Sequence, residues 1–300
     1  MDEQGMSNLE RRYRWLLRVL PKWYRQDREE EMVGIFLADR TDDLDLEHSW
    51  PGWGETGAIL GLAVRTHLAA GAALTSVPAR VMWRGEVVRV LGMIGLLLGV
   101  FYAGAAITNL SVAYGNPEWA QPISWWRLLE LAPIVAFAAL LNGRRTPAKI
   151  AAFAPVVLTV ATLAQTGGHV VLWVLFQLPG IVTFLCLCLG FHREAPTPPA
   201  RRLLWWGGGA LLLGVLGGFA TGTGLLAIAL ITVVVRVVAF VRGDFVLGRA
   251  VSLFALLQLA PLAFLLVGGE VLVIVLPLAV LLVLCAVAPV RKPSARPRVS

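Results

Sequence analysis

The stretch VLGMIGLLLGVFYAGAAITNL, residues 90–110, decides the fold. It contains no Lys, Arg, Asp or Glu. It supplies the roughly 20 apolar residues that an α-helix needs to cross the hydrocarbon core of a bilayer. Seven more apolar stretches follow, over residues 126–142, 150–166, 169–190, 203–221, 224–241, 250–268 and 270–289. The weakest are 150–166, which holds Pro155, and 224–241, which holds Arg236. Composition agrees: the 300 residues are 57% hydrophobic and 15% charged, with mean hydropathy +0.72, against about 25% charged residues in soluble domains. This excludes a disordered chain, a collagen-like chain and a secreted disulfide scaffold. The expectation is an all-α fold: a polytopic transmembrane helical bundle of about eight spans with a small amino-terminal cytoplasmic helical domain.

Charge tests the orientation. Residues 1–89 carry 12 Lys/Arg and 14 Asp/Glu, net −2, while residues 90–300 carry 14 and 5, net +9. The basic residues gather in alternate connections. Arg80, Arg84 and Arg89 precede the first apolar stretch. Arg144, Arg145 and Lys149 follow the second, Arg193, Arg201 and Arg202 the fourth, and Arg242 and Arg249 the sixth. Arg291, Lys292, Arg296 and Arg298 close the chain. The other connections read SVAYGNPEWAQPIS, TGGH, TGTG and GGE. Basic loops stay cytoplasmic, so a multi-pass cell-membrane protein with both termini in the cytoplasm is expected. The basic excess belongs to this orientation, and no nucleic-acid partner is expected. Trp119, Trp125, Trp126, Trp205 and Trp206 fall at stretch edges, where indole rings prefer the headgroup layer. The connection over 110–125 either lies flat on the membrane or caps a cavity.

The amino-terminal part reads as helices over 7–20, 23–38 and 55–76, with the polar linker DRTDDLDLEHSWPGWG between the second and third. Leu9, Tyr13, Leu16 and Leu20 recur at helical spacing, Ser7 or Asn8 can cap the first helix, and Pro21 ends it. The division expected is residues 1–50 as a helical hairpin and linker, 51–89 as an amphipathic interfacial connector, 90–290 as the transmembrane bundle and 291–300 as a basic cytoplasmic tail. Three short helices make a marginal core. For the first helix, packing in the hairpin, docking of a partner and contact with lipid all fit the pattern.

Motifs for chemistry are scarce. The chain has no H-E-x-x-H, G-x-S-x-G or G-x-x-x-x-G-K-[ST] pattern. The acidic run at Asp42, Asp43, Asp45, Glu47 and His48 lacks the glycine and spacing of a calcium loop. Cys186, Cys188 and Cys285 lie inside apolar runs and read as packing positions. No enzyme activity, catalytic residue, cofactor or metal is expected. Ionisable groups at membrane depth are functional leads, and Arg127, Glu130 and His169 form the candidate membrane polar site. Arg236 reads as snorkelling to the cytoplasmic side. Gly214 and Gly218, four apart, give a small-residue face that suits a tight bundle and a homo-oligomer alike.

The segment LERRYRWLLRVLPKWYRQDREEEMVGIFLADR, residues 9–40, resembles the HAAS-like helical signalling domain of actinobacterial multi-pass membrane proteins often encoded beside PadR-like regulators. Tyr13, Leu16, Leu17, Pro21, Tyr24, Arg25, Arg28, Glu31 and Met32 carry the resemblance. WGETGAILGLAVRTHL, residues 53–68, is similar to the segment that follows in that family, through Glu55, Gly61 and Arg65. The usage of Arg, Ala, Gly and Leu over Lys also looks like a high-GC actinobacterium. The resemblance implies a regulatory or signalling-associated membrane protein and offers Tyr13, Leu16, Tyr24, Arg28, Glu31 and Met32 as a candidate partner surface. The leading expectation is therefore a non-enzymatic membrane anchor whose residues 7–40 dock a cytoplasmic or membrane protein. The alternative is a transporter or permease subunit, which needs a polar cavity at membrane depth.

Overall fold

The computed structural model describes residues 7–38, 50–70, 77–115, 125–166, 170–192, 199–219, 224–267 and 272–290. Every regular element among them is helical. The chain divides into two compact units, Met1–Gly85 and Glu86–Ser300.

The first unit contains α1 (Asn8–Leu17), α2 (Lys22–Ala38) and α3 (Trp53–Leu68). Ser7 caps α1, its hydroxyl accepting from the Glu10 amide at 3.2 Å. α1 stops after Leu17, three residues before the reading above places its end. α2 follows directly, and the Pro21 carbonyl accepts from the Tyr24 and Arg25 amides to start it. α3 also ends early: Ala69 takes a left-handed conformation, φ 49°, and its amide bonds back to the last turn. The apolar stripe of α1 closes on α2 and α3 in one core of Leu9, Tyr13, Leu16, Leu17, Val33, Phe36, Ile59 and Ala63. Tyr13 stacks on Phe36 with ring centroids 3.9 Å apart and planes 5° apart.

α4 runs from Ala79 to Gly115 without a break. Its 37 residues rise about 55 Å, well beyond a hydrocarbon core of about 30 Å. No helix end falls at residue 89, where the connector was expected to give way to the first span.

In the second unit a helix or helical segment covers each remaining apolar stretch: α5 (Ala132–Leu141), α6 (Arg145–Thr166), α7 (Val170–Gly190), α8 (Ala200–Phe219), α9 (Gly224–Arg242), α10 (Phe245–Val267) and α11 (Leu272–Val287). The stretch 126–142 differs most from expectation. Trp125–Leu131 is a 3-10 helix, and only the ten residues Ala132–Leu141 are α-helical. Pro133 sits in the first turn of α5, where its missing N–H costs nothing but its ring disfavours α-helix before it. The steeper 3-10 rise lets the two segments together extend about 29 Å.

Among the described residues, three helices are long and apolar enough to cross a membrane: Ala79–Ala113, Ala200–Phe219 and Phe245–Ala263. Gln177–Gly190 and Val275–Val287 are apolar but shorter. One core joins Leu96 and Val100 of α4 to Phe137, Leu140, Ala148 and Leu187 of α5, α6 and α7. A second joins α9, α10 and α11 through Ala229, Ala255, Leu262, Leu278 and Leu282. Glycine sets the closest approaches. A Cβ added at Gly104 would lie 2.5 Å from the Leu211 carbonyl oxygen, and one at Gly214 would overlap the Phe101 carbonyl. The Thr108 hydroxyl donates to the Val215 carbonyl at 2.8 Å across the same crossing. Gly214 and Gly218 therefore face α4 of their own chain.

Candidate docking surface and membrane-depth polar groups

The six residues offered as a partner surface do not share one exposed face. Tyr13 and Leu16 are buried, at 2% and 5% exposure, and Tyr24 and Met32 pack against the same core from its edge. Helical periodicity explains this: positions 9, 13 and 16 form the apolar stripe of α1, and that stripe is what the hairpin covers. A partner that docks on the folded unit meets Arg28 and Glu31 instead. Their side chains pair at 2.7 Å along the outer side of α2.

Charges flank the hairpin core. Arg14 donates to Glu10 at 2.9 Å and reaches Glu30 through two nitrogens, at 2.7 and 2.9 Å. This fork geometry suits guanidinium and carboxylate. The bond to Glu30 raises the Arg14 pKa, and the same contact holds the Glu30 carboxyl below its ordinary range. Beneath them, burial pushes the Tyr13 phenol up to about 12, and the neighbouring Glu55 carboxylate adds to the rise through charge and a hydrogen bond. α3 is tied in at its far end. His67 Nε2 donates to the Val19 carbonyl at 2.9 Å, and Arg84 donates to the His67 carbonyl at 3.1 Å.

The candidate membrane site divides differently. Arg127 and Glu130 both sit on the 3-10 segment with exposed side chains. His169 lies outside the described residues, as do the acidic run at 42–48, the loop over 116–124 and the tail 291–300. Among the described residues no group of three His, Cys, Asp or Glu is arranged to hold a metal. Comparison with family models, curated proteins and solved structures finds no match for this chain.

A further set of buried polar groups lies between α9, α10 and α11, of which the sequence singles out Arg236 alone. Arg236, expected to snorkel toward the cytoplasmic side, is buried at 4% exposure. Its Nε donates to the Cys285 carbonyl at 3.2 Å, and its Nη2 to Ala288 and Pro289 at 2.7 and 3.2 Å. These are the orphan carbonyls at the end of α11, and a cation there also meets the negative end of the helix dipole. Ser252 donates to Cys285 at 3.3 Å, and Thr232 back-bonds to Ile228 at 2.7 Å. Gln258 is the exception. It is 3% exposed, its Nε2 has no partner among the described residues, and it borders a cavity of about 10 Å³ with Ile228, Leu262, Leu278 and Leu282. Such a space holds one water at most. The legible signal was an Arg opposite an Ala-Pro helix end, but one sequence does not show which helices are neighbours.

Proposed function

We propose that this chain is a multi-pass membrane protein of eight crossings with both termini cytoplasmic, and that its amino-terminal unit is a docking module for a protein partner, held at the membrane by a bundle with no enzymatic role. The observation that carries the membrane reading is the outer side of α8. Only Gly207 and Gly214 are buried along that helix, while Leu204, Trp205, Trp206, Leu212, Leu216 and Phe219 are exposed. An apolar surface of that extent is stable against lipid and costly against water. The alternation of basic connections supports eight crossings.

The anchor reading is favoured over transport by how the interior polar groups are used. Thr108, Thr232, Arg236 and Ser252 bond to backbone carbonyls of the bundle itself. The cavity beside Gln258 has room for about one water, far short of a substrate site. The docking reading draws on the likeness of residues 9–40 to HAAS-like domains and on the charged outer side of α2.

The test is cysteine labelling in intact cells and in permeabilised ones. Labels placed at 118 and at 196 are expected to react from opposite sides of the membrane, with 196 reached only after permeabilisation. Reaction from one side at both positions overturns the crossing count. For the docking module, a photo-reactive residue at 31 is expected to yield one discrete membrane-bound adduct. The adduct should weaken on R28E. A diffuse or absent adduct removes the docking role.

A further inference from the structure

We infer that one face of the amino-terminal unit, formed by α1 and α3, lies on an anionic lipid surface; this rests on the membrane reading of the second unit. Along α1, Arg11, Trp15 and Arg18 recur at helical spacing and are exposed, and Val19 and Lys22 continue the exposed stripe through the turn. Trp15 is 59% exposed, although α1 has a full apolar stripe facing the core. Along α3, Trp53, Leu60, Val64 and His67 share one face and are exposed. The bond from His67 to the Val19 carbonyl joins the end of this second stripe to the end of the first.

The two stripes are complementary in kind. One carries cations beside an indole, the other is aliphatic with a Trp at its start. The exposed acids described in this unit, Asp27, Glu30 and Glu31, belong to α2. Cations and indole rings settle at headgroup depth while aliphatic side chains enter the acyl boundary. Basic clusters are drawn to anionic leaflets. The chain also keeps this unit beside a bilayer, because α4 begins at Ala79 and continues without a break into apolar helix. That tether replaces a bimolecular encounter with an intramolecular one, so modest attraction suffices. Docking by this face leaves the acidic side of α2 for a protein partner.

The test uses the full chain in nanodiscs of phosphatidylcholine alone and of phosphatidylcholine mixed with phosphatidylglycerol. A nitroxide is attached at V64C and, as an exposed reference on α2, at Q26C; the parent chain, labelled in parallel, gives the background of the three native cysteines. Collision with an aqueous nickel chelate and with oxygen reports depth. In the anionic nanodiscs V64C is expected to be shielded from the chelate and open to oxygen, with Q26C open to the chelate. R11Q and R18Q are each expected to weaken docking about fivefold, and raised salt to weaken it further. Equal chelate access at V64C and Q26C in both lipids overturns the proposal. So does shielding that ignores both lipid charge and the Arg substitutions, or that arises only when an acidic protein is added. A chain that fails to enter nanodiscs at all overturns the membrane reading beneath it.

Discussion

Arg236 donates to the Ala288 carbonyl at 2.7 Å, across 52 residues of sequence, and with its bonds to Cys285 and Pro289 it closes the end of α11. Charge-assisted bonds to carbonyls at a helix end are among the stronger single contacts in a protein. R236L removes all three bonds, leaving the Cys285 carbonyl only its bond from Ser252, and is expected to destabilise the bundle by about 2–4 kcal/mol. R236K keeps the charge but not the fork and should fall between. The thermal midpoint of the detergent-purified chain reads both, and an R236L midpoint equal to the parent's removes Arg236 as a helix-end clamp.

Gln258 predicts the opposite sign. Its Nε2 is buried without a partner among the described residues, so the native state carries a desolvation cost of about 1–3 kcal/mol. Q258M fills a similar volume without the amide and is expected to raise the midpoint. A fall instead would mean that the amide serves a water or an ion in the adjoining cavity.

The α4–α8 crossing separates two kinds of glycine. At Gly214 a Cβ meets the Phe101 backbone, whereas at Gly208 nothing lies within 4 Å. G214A should destabilise, because backbone cannot move aside as a side chain can. G208A should stabilise by up to about 1 kcal/mol through helix propensity. Matched losses at both sites would mean that the close crossing is not formed.

Tyr13 sets an alkaline limit on the hairpin. Its phenol is held near 12 in the folded unit, against about 10 in an unfolded chain. A folded pKa above the unfolded one gives stability that is complete below pH about 10 and disappears as pH rises towards 12. Helix loss in the amino-terminal unit, followed by hydrogen exchange of α1 and α2 in the full chain, should therefore steepen above pH about 10. Y13F should flatten that dependence, while a profile unchanged by Y13F assigns it to other groups.

The positions of helices were legible in the sequence because hydrophobic runs and turn residues bracket them: the Ser7 cap, the stop near Pro21 and the elements from residue 145 onward all follow from local pattern. What was not legible was pairing. Tyr13 and Leu16 were offered as surface on the strength of a resemblance, although their own spacing already placed them on the apolar stripe that Phe36 and Ile59 cover. The roles of Arg236 and Gln258 depend on which helix lies opposite, and that is a tertiary fact. The 3-10 entry to α5 was missed because hydropathy records composition and is blind to helical pitch.

The glycines of α4 constrain how this protein can change over time. At Gly92, Gly95, Gly99 and Gly104 an added Cβ meets atoms of Cys186, Thr183, Pro133 and Leu211. Glycine is the smallest residue, so every replacement at these positions is an enlargement and none is a gradual step. At Gly95 and Gly99 the opposing atoms are side chain, so a lineage can enlarge these positions by trimming Thr183 or Pro133 first, and substitutions there should arrive in pairs; at Gly104 the opposing atom is the Leu211 backbone oxygen, which no trimming removes.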